Sequence, residues 1–371
     1  MAEYGKGQGK GQGKGQGKGQ GKGQGKGQGK GQGDGYGGDH AGGAGSGMLS
    51  SALITTHDGI VGYWDGKPLR NPLPFGTADT DLSYLGPVVR GDLVDSILTP
   101  QFTATGVDGT ATLASHGHSL VTLNRPDREV FRQQLAMVRA YSDLRDDRLP
   151  EILEQTEDLL SFFGAVAFLD TDRNGKTLEL LAAVIRLAVH VEMPMKHFCR
   201  APRPIDYAPQ VQPMIQTPDH SSYPSGHAIE VFTCAAVMTR LMTGLGPKSA
   251  LGGTGSQAVI GTMPFRVAHR IATNRSVAGV HFPIDSASGA VIGCALGEAV
   301  YRVATQQDQN DLPQSVDVTF DLTADDDAPF DLTLAWLGGT LAEDAPVQPT
   351  TDDIIGTLWN AAAEEWVEAP L

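Results

Sequence analysis

Three short segments of the chain concentrate side chains that suit the binding of an oxyanion. The cations are Lys196 and Arg203 in the first segment and Arg275 in the third. Between them in the chain, Ser225 offers a hydroxyl group, and Gly226 offers a backbone that a ligand can approach closely. A helix that begins near Gly226 would add unpaired N–H groups and a partial positive charge. Together these groups predict a pocket for a tetrahedral oxyanion.

Two histidines and an aspartate in the same segments could carry out a reaction on that anion. His227 and His281 titrate near neutral pH and can act as acid, base or nucleophile. Asp285 follows His281 by four residues, so its carboxylate can accept the second N–H of the imidazole and fix the tautomer. The set predicts charge neutralisation, directed donors, one nucleophile or ligand, and one acid around a single anion.

Each segment alone also has a structural explanation. Lys196 with the Arg-Pro pair could form a surface ion pair, and Pro-Ser-Gly-His could be an ordinary turn before a helix. His281 with Asp285 could be a satisfied core histidine. The three segments in this order are far more specific than any one of them. A catalytically silent anion site that only stabilises the fold is disfavoured, because so many buried charges are costly without an anion.

The ordered pattern Lys-x6-Arg-Pro, Pro-Ser-Gly-His and Arg-x5-His-x3-Asp resembles the type 2 phosphatidic acid phosphatase superfamily. That superfamily includes soluble bacterial acid phosphatases, membrane lipid phosphatases and vanadium-dependent haloperoxidases. The resemblance covers about residues 190–300 and says little about 1–120 or 306–371. Asn274 departs from the pattern, since phosphatase members usually carry Ser before the third motif's Arg, although Asn can still donate a hydrogen bond.

The resemblance implies a role for each position of the pattern. The groups that would hold the oxyanion are Lys196, Arg203, Ser225, Gly226 and Arg275. In a haloperoxidase, His281 would ligate vanadate and His227 would assist proton transfers, while halide is oxidised by hydrogen peroxide to hypohalous acid for a small organic acceptor. In a phosphatase, His281 would form a phosphohistidine oriented by Asp285, and His227 would protonate the leaving alcohol.

His220, seven residues before His227, favours the haloperoxidase interpretation. Vanadium bromoperoxidases carry a second histidine at this offset, whereas a chloroperoxidase-like site has an aromatic residue there. Such an imidazole could position halide or relay protons, or it could simply cap a turn. We therefore predict a vanadate-dependent haloperoxidase that favours bromide and iodide. The alternative is a soluble acid phosphatase that needs no cofactor and takes phosphate esters. We expect a structural role for His197 and a solvated loop at His116 and His118.

Helical periodicity surrounds the three segments. Apolar residues at helical spacing predict one helix from Asn124 or Asp127 and a second that opens at Pro150. Four further helices are predicted at about 177–190, 227–242, 264–274 and 285–303. Small residues in the last of these, such as Gly289 and Gly293, permit close helix packing. Strand signals are few in residues 124–305, so we predict an all-α fold with a loop-rich N-terminal region and minor β structure in the C-terminal tail. The resemblance implies that the helices form a bundle of the acid phosphatase and haloperoxidase type.

The two ends of the chain differ from the middle in composition. Residues 1–47 hold 22 of the 47 glycines, largely in a Lys-Gly-Gln-Gly repeat, and are interpreted as a flexible low-complexity arm. Residues 48–305 are predicted to form the helical domain, with loops and short strands up to about residue 120. Residues 306–371 form an acidic extension in which the alternating stretch Val316–Leu334 could be an edge hairpin.

Charge and hydropathy exclude several classes of protein. The chain has 28 Lys and Arg against 43 Asp and Glu, and residues 303–371 hold 15 of the acids and no base. The remainder is formally neutral, which argues against a nucleic-acid partner. No apolar run approaches the ~18–20 residues of a membrane span, and no signal peptide is recognisable. We expect a soluble protein of undetermined compartment, and a homo-oligomer, as helical haloperoxidases often are.

Overall fold

A computed structural model describes residues 47–71, 76, 78–305, 314–320 and 329–367. The helices before the central bundle are α1 (Gly47–Val61), α2 (Pro87–Leu98), α3 (Arg128–Tyr141), α4 (Arg145–Glu154) and α5 (Leu160–Phe163). Those that follow are α6 (Gly175–Cys199), α7 (Pro204–Tyr207), α8 (Gly226–Thr243), α9 (Pro247–Gly252), α10 (Ser256–Val277), α11 (Pro283–Thr305), α12 (Leu334–Thr340) and α13 (Ile354–Glu364). The strands are β1 (Phe102–Val107), β2 (Thr110–Ser115), β3 (His118–Asn124) and β4 (Val316–Val318). The predicted arm over residues 1–47 lies outside the described residues except for Gly47.

Helix α8 is the centre of a helical bundle. It packs most closely against α11 and α10 and then against α6. Every residue from Gly226 to Leu241 is buried, as expected for a helix that is surrounded by other helices on all sides. The mainly helical fold class predicted from the sequence is confirmed.

Small residues bring α8 and α11 into close contact. A Cβ atom at Gly293 would lie 2.6 Å from the carbonyl oxygen of Ile229, and one at Gly297 would lie 2.7 Å from the Cβ of Ala236. Both distances are shorter than a van der Waals contact, so larger side chains would push the helices apart. The predicted role of small residues in α11 is confirmed. The close packing sets the position of the first turn of α8 relative to the first turn of α11.

Proline does not mark the helix boundaries that the sequence predicts. Pro150 lies inside α4 and Pro264 lies inside α10, so the predicted helix starts at these two residues are wrong. Helix α6 likewise continues through Pro194 to Cys199. Tertiary packing explains the difference, because Ile152 and Phe265 beside two of these prolines are fully buried and favour the helix despite a lost hydrogen bond.

The small sheet lies mainly before the helical bundle in the chain. Strands β1, β2 and β3 pair antiparallel in sequence order, and β4 adds to β3 in parallel. Short strands were predicted before residue 120, where β1 and β2 lie, and β3 continues slightly beyond that limit to Asn124. Helices α1 and α2 were not predicted. Strand β4 falls in the predicted edge segment, whose residues 321–328 lie outside the described residues.

A buried ion pair attaches the C-terminal extension to the bundle. Arg240 of α8 donates to both carboxylate oxygens of Glu298 in α11 and to the carbonyl oxygen of Ala345. The amide of Ala345 donates in turn to Glu298. In the described part of the chain, no helix has an apolar stretch long enough to cross a bilayer.

Candidate functional site

The structure brings the three motif segments together where α6 and α10 end and where α8 and α11 begin. Lys196 and Arg275 lie in the last turns of α6 and α10. Arg203 precedes α7, Ser225 is the N-cap of α8, and Asp285 lies in the first turn of α11. Each of the predicted residues of these three segments is buried: Lys196, Arg203, Ser225, Gly226, His227, Arg275, His281 and Asp285.

The His281 imidazole is held in one tautomer by Asp285. Its Nδ1 lies 3.1 Å from the carboxylate oxygen Oδ2 of Asp285, an atom that can only accept when ionised. Phe282 N–H and the hydroxyl of Ser222 also donate to that oxygen and hold it in place. Nδ1 therefore carries the proton, and Nε2 carries the lone pair. The sequence analysis missed Ser222, whose serine-rich loop offered no distinguishing signal.

The Arg203 guanidinium connects two of the predicted histidines. Its Nη1 donates to the carbonyl oxygen of Val280 at 2.8 Å and lies 3.2 Å from Nε2 of His281. Its Nη2 lies 3.2 Å from Nδ1 of His220, and its Nε donates to the carbonyl oxygen of His220 at 3.2 Å. The structure thus places His220 on the same cation as His281. An oxyanion ligand of His281 would replace the contact between Arg203 and Nε2.

The tautomer of His227 is set by a backbone carbonyl group outside the three motifs. Nε2 of His227 lies 2.9 Å from the main-chain oxygen of Gln155, which can only accept. Nε2 therefore carries the proton of the neutral ring, and Nδ1 carries the lone pair. Arg275 Nη1 lies 3.5 Å from the same Nε2, but two donors form no hydrogen bond, so this is a packing contact.

Gln155 also holds Arg275 and Asn274 through its side chain. Its Oε1 accepts from Nη2 of Arg275 and from Nδ2 of Asn274, each at 3.0 Å. Asn274 donates further to Glu151 at 3.1 Å. Asn274 therefore does donate hydrogen bonds, as the sequence analysis expected, although its described partners are protein groups. The sequence analysis missed Gln155, because it lies far from the motifs and glutamine carries no chemical signature.

Lys196 and Gly226 are linked to a buried carboxylate that the sequence analysis also missed. Nζ of Lys196 donates to the carbonyl oxygens of Ser221 at 3.1 Å and Pro224 at 2.5 Å. One turn before Lys196, Glu192 packs its carboxylate onto Gly226, where a Cβ atom would overlap Oε2 of Glu192. The space that this glycine leaves is thus filled by Glu192. Ser225 Oγ accepts from the Ala228 amide at 3.5 Å and caps α8.

Burial keeps the three imidazoles neutral near neutral pH. It lowers the pKa of His227 to about 3 and that of His220 to about 4, and it lowers the pKa of His281 well below its usual value. Neighbouring cations add to each shift, Arg275 acting on His227. Burial raises the pKa of Asp285 to about 6, so at neutral pH this carboxylate is still ionised and accepts from His281.

An open cleft of about 780 Å³ leads to the cationic side of the site. Lys196, Arg203 and His220 line it, together with His197, for which a structural role was predicted. Exposed His116 lies in the turn between β2 and β3, as expected for a solvated loop, whereas His118 begins β3. The cleft gives a small solute access to Arg203.

The donor set fits an oxyanion such as phosphate or vanadate. Nε of Arg275 and Nε2 of Gln155 are buried donors without a hydrogen-bond partner among the described residues. Among the first N–H groups of α8, that of Ala228 donates to Ser225 Oγ, whereas those of Gly226 and His227 have no partner within the helix. An anion with several oxygens would satisfy these donors, and Nε2 of His281 offers a lone pair to its central atom.

A comparison with protein families agrees with this geometry, since residues 177–309 match the PAP2 superfamily. Residues 177–309 are a PAP2 superfamily domain. No curated protein matches the chain. The PAP2 domain runs from α6 to just beyond α11 and contains every predicted site residue, whereas Gln155 lies before it. Phosphatases and haloperoxidases of the superfamily both fit the site, which supports an enzyme of one of these two types.

Proposed function

We propose that the protein is a vanadate-dependent haloperoxidase that oxidises halide, with bromide and iodide favoured, by means of hydrogen peroxide. The observation that carries this choice is the position of His220, whose Nδ1 lies 3.2 Å from the same guanidinium that contacts His281. A second imidazole at the mouth of the oxyanion pocket suits halide positioning or proton relay. A phosphatase has no evident use for it.

The protein residues would bind and orient vanadate. Lys196, Arg203 and Arg275 would neutralise its charge, and the first N–H groups of α8 would donate to its oxygens. His281 would ligate it through Nε2, because Asp285 holds the Nδ1 proton. Bound vanadate would supply a Lewis-acidic centre that activates hydrogen peroxide for attack by halide, which yields hypohalous acid for a small organic acceptor.

Two histidines would handle protons and halide beside that centre. His227 would exchange a proton at Nδ1, since its Nε2 proton is held by the Gln155 carbonyl oxygen. His220 lies on the cleft side of Arg203 and would hold halide or relay protons there.

Acid phosphatase is the second candidate, and the arrangement of His281 supports it. The Nε2 lone pair, backed by Asp285 at Nδ1, is the arrangement of an activated nucleophile. Nε2 would attack phosphorus and form a phosphohistidine while the bond to the ester oxygen breaks. His227, once protonated at Nδ1, would donate that proton to the leaving alkoxide, and water would then hydrolyse the phosphohistidine.

The deciding experiment is the bromination of monochlorodimedone with hydrogen peroxide, with and without vanadate, beside hydrolysis of p-nitrophenyl phosphate. The proposal expects bromination only with vanadate. It also expects His281→Ala to abolish bromination, and His220→Ala to lower it more than it lowers vanadate affinity. His116→Ala, in an exposed turn, is the control and should match the wild type. Ester hydrolysis without any bromination would establish the phosphatase instead, and an unchanged rate in His220→Ala would remove the role of His220.

A further inference from the structure

Gln155 has one polar group that forms no hydrogen bond with any described residue. The residue follows α4 and is 1% exposed. Its Oε1 accepts from Arg275 Nη2 and Asn274 Nδ2, both of which can only donate. These two contacts fix the orientation of the amide, so the remaining atom is the donor Nε2. That atom is buried without a partner among the described residues.

The free donor lies beside two other groups of the predicted oxyanion site. The main-chain oxygen of the same residue holds His227, and its Oε1 is 3.0 Å from the Arg275 guanidinium. Nε of Arg275 is likewise a buried donor without a partner. Unpaired buried donors are rare, because each has lost its hydrogen bonds to water. Two such donors on adjacent side chains therefore indicate an acceptor that the described residues do not provide.

The neutrality of Gln155 also leaves the charge of Arg275 available. Burial lowers the pKa of Arg275 to about 10, so the guanidinium is still cationic at neutral pH. Glu151, the acidic residue one turn earlier, pairs with Arg270 instead. A glutamate at position 155 would neutralise Arg275, whereas glutamine orients it and keeps the positive charge for a ligand.

We propose that Gln155 is a catalytic residue that donates a hydrogen bond from Nε2 to an oxygen of the bound oxyanion. Its Oε1 and its carbonyl oxygen meanwhile hold Arg275 and His227 against the same ligand. The inference rests on the oxyanion site of the proposed function and applies equally to phosphate and vanadate. It assigns part of the site to the residue that follows α4, which precedes the PAP2 domain.

Calorimetric binding of inorganic phosphate tests this role without an activity assay. Replacement Gln155→Met removes the donor at similar volume and should weaken binding about tenfold or more, as for other hydrogen bonds to charged groups. Replacement Gln155→Glu should weaken binding further near neutral pH, because its carboxylate repels the anion and neutralises Arg275. Its affinity should recover on acidification, since a protonated glutamate can again donate. Because wild-type affinity also rises on acidification through proton uptake at other groups, the recovery is read from the ratio of the Gln155→Glu affinity to that of wild type, which should rise as the pH falls.

A matched control separates this effect from a loss of packing. Gln134 is also buried, at 2% exposure, and bonds to the Phe330 carbonyl oxygen and the Ile284 amide. Gln134→Met should lower the melting temperature comparably and leave phosphate affinity within about twofold of wild type. Unchanged affinity in Gln155→Met would overturn the inference. If that variant does not fold, a Gln155→Glu protein whose affinity does not recover relative to wild type on acidification overturns it. Wild-type protein that binds neither phosphate nor vanadate would instead refute the proposed oxyanion site itself.

Discussion

Binding of an oxyanion should draw a proton onto His227. Without a ligand, burial and Arg275 hold the pKa of His227 at about 3, so about 0.1% of the rings are protonated near pH 6. Restoring the ordinary pKa of 6.5 takes about 5 kcal/mol. One negative charge at ~4 Å contributes about 4 kcal/mol at an effective dielectric constant of ~20, and a dianion contributes twice that. A bound dianion therefore suffices to protonate the ring.

The proton count can be measured by titration calorimetry of phosphate binding near pH 6. The measured enthalpy is compared between two buffers of different ionisation enthalpy, and its slope gives the protons taken up for each phosphate bound. The carboxyls of Asp285 and Glu192 contribute too, because their pKa values of about 6 and about 7 also rise when an anion binds. The decisive quantity is consequently the difference between wild type and His227→Gln.

That difference should be about one proton, because phosphate, buffer and both carboxyls are common to the two proteins. Equal uptake by wild type and His227→Gln would refute the reasoning. It would mean that His227 stays neutral in the complex and that the acid of the reaction is another group.

Three other perturbations test the structure. Asp285→Asn should lower turnover ~10²–10⁴-fold in whichever of the two activity assays is positive, and it should reduce phosphate affinity much less. The reason is that it releases the Nδ1 proton of His281 without removing a cation. Equal losses of turnover and affinity would contradict the orienting role of Asp285. Gly226→Ala should lower the melting temperature, because the added Cβ clashes with Glu192. Glu192→Ala should then lower the melting temperature less in the Gly226→Ala protein than in wild type. Additive shifts in melting temperature would argue against the clash. Glu298→Gln should lower the free energy of unfolding by about 3–5 kcal/mol in denaturant titrations, because it leaves the charge of Arg240 buried and unpaired. Glu343→Gln, at an exposed ion pair, is the control and should lower it by about 0.5 kcal/mol or less. Similar losses in the two variants would show that burial does not govern the strength of these pairs.

Much of the site could be predicted because it consists of charged and titratable side chains, which are costly to bury. Lysine, arginine and histidine in three short segments imply an anion, and the structure brings these segments together at the ends of four helices. The four-residue spacing of His281 and Asp285 was informative, because residues four apart near the start of a helix lie close enough for their side chains to form a hydrogen bond. The groups that orient these side chains could not be predicted, because their residue types carry no such signal. Backbone oxygens such as that of Gln155 and hydroxyls such as that of Ser222 occur everywhere in a sequence, and only tertiary structure selects them.

The helical core could be predicted better than its boundaries. The amphipathic pattern of α3 and the small residues of α11 are local signals that agree with the final packing. The predicted helix starts at Pro150 and Pro264 were wrong, because burial of neighbouring residues outweighs the local cost of proline inside a helix. Strands β1–β3 are short and rich in threonine and alanine, so their local strand preference is weak, although they pair as consecutive antiparallel hairpins.

The position of α4 bears on where the catalytic unit of this chain begins. A fragment cut at residue 177 would keep all three motifs and still lose the carbonyl that holds the Nε2 proton of His227. Arg275 would then face water on that side, and its neighbour Asn274 would lose its anchors at Glu151 and Gln155. The matched range 177–309 therefore contains the predicted reacting groups but omits Gln155, whose carbonyl oxygen orients the His227 imidazole. Any excised version meant for mechanistic work has to start upstream of Arg145.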